Sequence, residues 1–222
     1  MKILLLAAMD KEIDLLMNIL SDINVSEETN IRYWEGKVGQ HNVFISKCGI
    51  GKVNSALNSL LLIQKLCPDI VINSGVAGGA GLPIGTLLVA DKVAYHDVWC
   101  GPGTKYGQAD GLPLYMCPSD SILKIAADLD LMKGLVCSGD KFISSSQEIS
   151  FIRSNFPDVK AVDMESASIA QTCILNNIPF AIIRIVSDTP GEGENITQYK
   201  DFWTQAPQKT FNTILNILKQ LQ

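Results

Sequence analysis

The segment Phe180-Ala-Ile-Ile-Arg-Ile-Val-Ser-Asp188 carries the clearest information on the fold. Its almost unbroken run of apolar residues is typical of a strand that is covered on both faces, as in the parallel sheets of α/β proteins. Residues 2–8 and 69–73 show the same pattern, and residues 10–20 have helical spacing of apolar side chains. We therefore predict an α/β fold with a central, mixed, largely parallel β-sheet that is flanked by helices.

The remaining elements follow from the same patterns on either side of these segments. Further strands are predicted at 31–38, 42–48, 85–97, 134–138 and 160–163, and further helices at 52–66, 119–130, 145–155, 165–176 and from Pro207 onward. Residues 100–113 and 189–196 are predicted as loops, and the glycine-rich residues 74–81 as a turn. With no linker or repeat between these elements, we predict one domain over residues 1–222.

The composition excludes several functional classes. The chain has 222 residues, 47% of them hydrophobic, and a formal net charge of -5. We expect no nucleic-acid binding, because the lysines and arginines are scattered and form no basic face. No apolar stretch reaches membrane-spanning length, so no membrane association is predicted. The apolar start is read as a buried strand and not as a signal peptide, because Asp10-Lys11-Glu12 follows it directly.

The six cysteines contain no CxxC pair, and the two histidines are far from metal-ligand spacing. We interpret the cysteines as reduced, structural thiols, which are typical of a reducing compartment. The predictions are therefore a cytoplasmic location, no metal site and no cofactor.

Carboxylates follow two predicted strands. Glu12 lies in the first turn after the first strand and, being four residues before Leu16, points inward. Asp163 and Glu165 straddle the junction between a strand and a nearly uncharged helix, where a buried carboxylate needs a partner such as two sugar hydroxyls. An ordinary helix-start carboxylate and a helix cap remain open as alternatives.

Arg184 and Asp188 interrupt the apolar strand described first. A period of two places Arg184, Val186 and Asp188 on one face and Ser187 on the other. Buried charges are costly unless they are paired or functional, so a structural Arg–carboxylate bridge is the alternative to a catalytic role. Ligands of α/β sheets bind beyond the carboxyl ends of the strands, which is where these residues are predicted to meet. Carboxylates with an arginine indicate acid–base chemistry on a polar ligand.

The glycine-rich residues 74–81 lack the Lys-Ser/Thr of a P-loop and the GxGxxG spacing of a dinucleotide site. The short turn Gly49-Ile50-Gly51 is not a dinucleotide signature either. Both predict only that the backbone closely approaches another group.

Several segments in order resemble the nucleoside phosphorylase superfamily, and within it the hydrolytic branch of methylthioadenosine/S-adenosylhomocysteine nucleosidases. The matching segments are Ala8–Glu12, Ser46–Lys52, Ile72–Gly79, Tyr95–Asp97, Ser138–Ile143, Val162–Ser166 and Arg184–Asp188. The resemblance covers nearly the whole chain. It implies a hydrolase that cleaves the N-glycosidic bond of 5'-methylthioadenosine and S-adenosylhomocysteine, with 5'-deoxyadenosine as a further candidate substrate, to adenine and the thioribose.

The resemblance also implies roles for individual residues. Glu12 resembles the residue that positions and activates water, and Asp188 the acid that protonates adenine at N7. The implied substrate-binding residues are Met9 and Ile50 at the 5'-substituent, Gly78 beside the ligand, Phe142 and Ile143 at the base, and Asp163, Met164 and Glu165 at the sugar, together with Arg184 and Ser187 as supports and Tyr199 as a cap of the pocket. The branch further implies a homodimer, in which the 100–113 loop with Trp99 and Tyr106 would complete the partner's pocket.

The absence of arginines at the end of the first strand and in the strand before the glycine-rich segment favours hydrolysis over phosphorolysis. Phosphorylases of the superfamily place arginines there, whereas this chain has Met9-Asp-Lys-Glu12 and Ile70-Val-Ile-Asn73. Glu12 would repel phosphate. A purine nucleoside phosphorylase, a futalosine-type hydrolase, a non-catalytic nucleoside-binding protein and a purely structural protein remain as alternatives.

The chain also departs from the family pattern at several places. Asp163 stands where many relatives have Glu, Val76 occupies a position often held by Ser, and Tyr199 replaces a Phe. The loops at 98–104 and 189–194 are also unusual. These departures affect the expected preference for the 5'-substituent more than the expected reaction.

Overall fold

The computed structural model describes residues 1–28, 31–205 and 207–221, with the side chains of residues 28, 204, 205 and 207–211 outside the described set. The strands are β1 (Lys2–Ala7), β2 (Ser21–Glu28), β3 (Ile31–Val38), β4 (His41–Lys47), β5 (Ile70–Gly79), β6 (Leu87–Tyr95), β7 (Met132–Ser138), β8 (Val159–Asp163) and β9 (Phe180–Asp188). The helices are α1 (Asp10–Met17), α2 (Lys52–Leu66), α3 (Asp120–Asp128), α4 (Ser146–Asn155), α5 (Ser166–Leu175), α6 (Asn195–Gln205) and α7 (Pro207–Gln220).

The strands form one sheet in the order β2-β3-β4-β1-β5-β8-β7-β6-β9, and β9 also pairs with β5, so that half of the sheet closes on itself. The pairs β1–β4, β1–β5, β5–β9, β6–β7 and β7–β8 are parallel, and the pairs β2–β3, β3–β4, β5–β8 and β6–β9 are antiparallel. The predicted α/β fold with a mixed sheet flanked by helices is confirmed. The assignment of residues 1–222 to a single domain stays a prediction.

Helices cover both faces of the sheet. Strand β1 shows the alternation, since Ile3 and Leu5 pack with residues of α1, α3 and α7, whereas Leu4 and Leu6 pack with residues of α2 and α5. Strand β9 is buried along its whole length, as its apolar sequence predicts. Burial on both faces leaves the strand ends as the place where polar side chains can meet a ligand.

Three predictions on local structure are wrong. Strand β2 was not predicted, because it is an edge strand whose side chains are mostly exposed and therefore show no buried face. Helix α6 was not predicted, because residues 189–205 begin with a Gly/Pro/acidic segment that reads as a loop. Residues 74–79 are not a turn but the second half of β5, which bends so that Gly78 and Gly79 pair with β8.

The glycines of β5 are required by close packing against the chain itself. A Cβ on Gly75 would lie 2.8 Å from Glu12 Oε1, and one on Gly78 would lie 2.6 Å from a side-chain carbon of Pro190. The predicted close approach is therefore made, at these two glycines, by side chains of the protein itself. Within the described ranges, no helix has both the length and the apolar character needed to cross a bilayer.

Candidate active site

A cavity of about 160 Å³ lies at the carboxyl ends of β1, β5 and β9. It is lined by Ala8, Met9, Glu12, Ile50, Val76, Ala77, Gly78, Phe142, Val162, Asp163, Met164, Glu165, Ser187, Asp188 and Tyr199. A neighbouring cavity of about 40 Å³ shares part of this wall and adds Ile143. The structure thus brings together the residues predicted to bind substrate, apart from Arg184, which lines neither cavity.

Glu12 is the third residue of α1 and turns back toward the end of β1. Its Oε2 accepts hydrogen bonds from the backbone N–H groups of Ala8, at 2.9 Å, and Met9, at 3.0 Å. Its Oε1 accepts a third from the N–H of Val76 on β5, at 3.1 Å. Burial raises the pKa of Glu12 above its ordinary value, and the nearby Arg184 guanidinium and the three amides oppose that rise.

Asp188 ends β9 and is buried. Ser187 Oγ donates to its Oδ1 at 2.7 Å, and Asn195 Nδ2 donates to its Oδ2 at 3.1 Å. Burial raises the pKa of Asp188 above its ordinary value, and these two neutral donors oppose the rise. The site therefore holds two carboxyl groups whose protonated forms are favoured by their surroundings, a common property of catalytic acids and bases.

The prediction that Ser187 faces away from Asp188 is wrong. Strand pairing sets Ala77 opposite Val186 and Gly78 opposite Asp188, so Ser187 is an extra residue in β9. Such a bulge interrupts the alternation of side chains along a strand. Both Ser187 and Asp188 consequently line the cavity.

Arg184 lies behind the cavity wall and is 1% exposed. Its Nε donates to Asp163 Oδ2 at 2.7 Å, and its Nη atoms donate to the side-chain and main-chain oxygens of Asn73. Asp163 also accepts hydrogen bonds from the hydroxyls of Ser138 and Ser166. The Arg–carboxylate bridge considered from the sequence is thus present, and it fixes Asp163 in the wall while its positive charge acts on Glu12.

Glu165 immediately precedes α5, and its Oε1 accepts the backbone N–H of Gly51 at 2.9 Å. Gly51 has a φ of +87°, a conformation that favours glycine, and starts α2 from the turn that also brings Ile50 to the cavity. Burial raises the pKa of Glu165 to about 7, and the nearby Asp163 adds to the rise. The Gly49-Ile50-Gly51 turn therefore holds a cavity carboxylate.

Aromatic side chains form one side of the cavity mouth. Tyr199 on α6 stands edge-to-face with Phe142, with ring centroids 5.7 Å apart, and with Trp203, at 6.1 Å. Its hydroxyl donates to Met9 Sδ at 3.2 Å. Apolar walls with a few placed polar groups are typical of small-molecule sites.

Asn195 is the residue of the site that the sequence analysis missed. It is the first residue of α6, is 3% exposed, and donates to both Asp188 Oδ2 and the carbonyl of Ile143. In the sequence, Asn195 lies between a Gly/Pro/acidic loop and a polar segment. This pattern is too common to indicate that its side chain is buried in the site.

Comparison with known proteins places this geometry in a family. The sequence profile of the Phosphorylase superfamily matches residues 2–219. The 5'-methylthioadenosine/S-adenosylhomocysteine nucleosidase of an Exiguobacterium species is 36% identical, over 100% of this chain and 99% of that protein.

Solved structures agree with the sequence comparison. The S-adenosylhomocysteine nucleosidase of Streptococcus pyogenes, in complex with 5-methylthiotubericidin, superimposes with a TM-score of 0.95 at 32% identity, covering 100% of this chain and 98% of that one. The nucleosidase of Colwellia psychrerythraea, in complex with adenine, gives a TM-score of 0.94 at 33% identity, covering 100% of this chain and 96% of that one. The chain belongs to the phosphorylase superfamily and, within it, to the 5'-methylthioadenosine/S-adenosylhomocysteine nucleosidases.

Proposed function

We propose that this protein hydrolyses the N-glycosidic bond of 5'-methylthioadenosine and S-adenosylhomocysteine, releasing adenine and the thioribose. Asp188 is the general acid at adenine N7, and Glu12 positions and activates the attacking water. The observation that carries the proposal is that Glu12 and Asp188 line one cavity from either side of β5. Solved nucleosidases of the same fold bind adenine or a methylthio-nucleoside analogue, which supports the substrate class.

The chemistry requires two groups of opposite character. Cleavage passes through an oxocarbenium-like centre, as in glycoside hydrolysis, and adenine must be protonated to leave. Burial raises the pKa of Asp188, which favours the protonated form that can supply this proton. Glu12 must be ionised to take a proton from water. Burial opposes this ionisation, and the Arg184 guanidinium and three backbone amides offset part of that effect. General acid–base help of this kind contributes about 10²–10⁴-fold for each group.

Water is favoured as the nucleophile because Glu12 already occupies the anion-binding position. Convergent backbone N–H groups form a ready site for phosphate. Here the N–H groups of Ala8, Met9 and Val76 all donate to the Glu12 carboxylate. A phosphate would have to displace this carboxylate or lie beside its negative charge.

The other residues of the wall suit the parts of such a substrate. Glu165 can accept from the ribose hydroxyls, with Met164 against the sugar. Phe142 and the Ile143 backbone face the base, with Gly78 beside it. Met9, Ile50 and Tyr199 form the apolar surface for the 5'-substituent. Arg184 holds Asp163 in the wall, and Ser187 holds Asp188.

The test is base release from a panel of nucleosides with and without phosphate. The panel contains methylthioadenosine, S-adenosylhomocysteine, adenosine, inosine and aminofutalosine. We expect free adenine from the first two at rates that are independent of phosphate. Activity confined to aminofutalosine would indicate a futalosine-type hydrolase, and a strict need for phosphate would indicate a phosphorylase. Binding of adenine without turnover of any nucleoside would indicate a non-catalytic nucleoside-binding protein.

We also propose that the active form is a homodimer built on the exposed apolar surface of α2. Val53, Leu57 and Leu61 of that helix are 67%, 56% and 42% exposed, and Leu175 of α5 beside it is 65% exposed. Contiguous exposed apolar side chains of this kind mark interaction sites. The surface continues to Ile50, which lines the cavity, so a second copy seated there would border the active site.

The loop predicted to reach the partner is tied to its own chain at Tyr106, whose hydroxyl donates to the His96 carbonyl at 2.9 Å. Trp99, 61% exposed, is the side chain that remains available to a partner. Light scattering should show a dimer for the wild type and a monomer of much lower activity for Leu57→Glu. A monomeric wild type at full activity would contradict the proposal.

A cytoplasmic location is proposed on the evidence of the cysteines. All six are unpaired, and three of them, Cys67, Cys100 and Cys117, are exposed. Exposed free thiols persist in reducing compartments. Cell fractionation tests this, and recovery from an oxidising compartment would contradict it.

A further inference from the structure

Asn195 makes two buried hydrogen bonds that join separate parts of the site. Its Nδ2 donates to Asp188 Oδ2 and to the carbonyl of Ile143, both at 3.1 Å. A side-chain amide nitrogen has two N–H groups, so both are used. Because both partners are acceptors, only this orientation of the amide satisfies them. Asn195 therefore links the end of β9 to the Phe142–Ile143 wall.

These bonds restrict the carboxyl group of Asp188 from both sides. Ser187 donates to Oδ1, and Asn195 donates to Oδ2. With one donor on each oxygen, the plane of the carboxyl group is set, and each oxygen keeps one lone pair for the acidic proton. A general acid needs this fixed direction, because a proton is transferred efficiently only within hydrogen-bond reach of its acceptor.

The same helix carries Tyr199, which lines the cavity. Tyr199 lies four residues after Asn195, so both side chains project from one face of α6. Gln198 closes the preceding loop, since its Oε1 accepts the backbone N–H of Thr189 at 2.9 Å. The packing of α6 therefore positions both the Tyr199 side chain and the Asn195 amide.

We propose that Asn195 is a positioning residue for the general acid, which holds the Asp188 carboxyl group in a fixed direction toward the substrate. The proposal rests on the proposed role of Asp188 as the acid. Asn195 reaches the reacting atoms only through Asp188. It directly follows the 189–194 loop, which departs from the common family pattern.

The expected pH signature follows from the type of bond. A donor to a carboxylate stabilises its charged form and lowers its pKa, so removing Asn195 raises the pKa of Asp188. Among the described residues, the other titratable groups that line the two cavities are Glu12 on α1, Asp163 and Glu165 before α5, Lys141 before α4 and Tyr199 on α6, with Arg184 behind the wall, and all of them remain in the variant. The basic limb of kcat, where the acid loses its proton, should therefore move to higher pH.

The experiment measures kcat and KM against pH for the wild type, Asn195→Ala, Asp188→Asn, the double variant, and Gln198→Ala as the matched control on the same helix. For Asn195→Ala we expect kcat to fall roughly 10–100-fold. Its basic limb should move up by roughly one pH unit. Gln198→Ala, which opens the loop without touching the acid, should leave the limb in place. The double variant should be no slower than Asp188→Asn alone, because Asn195 acts through Asp188.

Two results would overturn the proposal. In the first, Asn195→Ala leaves the basic limb unshifted and keeps kcat within about two-fold of wild type. In the second, Asn195→Ala lowers kcat in the Asp188→Asn background by the same factor as it does in the wild type. Wild-type turnover by Asp188→Asn would instead overturn the proposed function, so the two failures are distinguishable. If Asn195→Ala does not fold, Asn195→Ser replaces it, since a hydroxyl keeps a helix-start donor but cannot serve both acceptors. The same limb shift is expected from it.

Discussion

The two carboxyl groups on either side of β5 are held by different kinds of donor. On the β1 side, Glu12 accepts three backbone N–H groups and lies near the Arg184 guanidinium. On the β9 side, Asp188 accepts hydrogen bonds from two neutral side chains, those of Ser187 and Asn195. Burial raises the pKa of both, but only Glu12 has a nearby positive charge that opposes the rise. This difference supports the proposed roles of Glu12 as the base and Asp188 as the acid, since differing environments separate such roles in other two-carboxylate enzymes.

The largest effect is expected from Glu12→Gln. The change removes the base and also turns an amide NH₂ toward backbone N–H donors, so the charge is lost together with the hydrogen bonds at one of the two oxygen positions. We expect kcat for methylthioadenosine to fall about 10³–10⁴-fold. Asp14→Asn, which neutralises an exposed carboxylate on the same helix, is the control and should keep wild-type kcat. A kcat of Glu12→Gln within ten-fold of the wild-type value would show that Glu12 is not the catalytic base.

Asp188→Asn should lower kcat somewhat less, by about 10²–10³-fold, for nucleosides that release adenine. A nitrophenyl riboside needs no protonation to leave, and its hydrolysis should fall far less. Glu12→Gln should slow both substrates, because each needs activated water. Equal losses on both substrates for Asp188→Asn would contradict the assignment of the acid.

Glu165 extends the comparison to a third carboxylate, and its effect is on stability. Burial raises the pKa of Glu165 from 4.5 to about 7, so the folded state binds a proton that the unfolded state releases. The stability from this proton is fully present below about pH 4.5 and is lost as the pH rises through about 7. Glu165→Gln should therefore gain on the order of 1–3 kcal/mol relative to wild type between pH 5 and pH 8, while losing activity. Thermal unfolding of both proteins across this range measures it, and a pH-independent difference would contradict it.

The smallest effect is expected from Ser187→Ala. It removes the neutral donor to Asp188 Oδ1, so the pKa of Asp188 rises and the basic limb of kcat moves to higher pH. Because the Asn195 bond remains, kcat should fall less than about ten-fold. A shift of the limb to lower pH would show that the hydroxyl acts on Asp188 in another way.

The sequence allowed Glu12, Glu165 and Asp188 to be placed at the site because each follows a strand whose apolar run is easy to recognise. The fold class followed from the same runs. Ser187 was assigned to the wrong face, because a bulge in a strand pairing leaves no trace in a periodicity of two.

Asn195 and α6 were missed for a different reason. Helix α6 follows a segment rich in Gly, Pro and acidic residues, so its start could not be told from a loop. The partners of Asn195, Asp188 and Ile143, lie seven and 52 residues away along the chain. The contact with Ile143 is long-range, whereas the pattern used was local. Strand β2 was missed because its side chains are mostly exposed, so its sequence shows no apolar pattern of a buried face.

The most direct test of the central claim is the fate of oxygen-18 when methylthioadenosine is turned over in labelled water with and without added phosphate. We predict that adenine forms at the same rate in both, and that the sugar product carries one labelled oxygen from the attacking water. Formation of a sugar 1-phosphate, or adenine release only when phosphate is present, would contradict the assignment of Glu12 as the residue that delivers water.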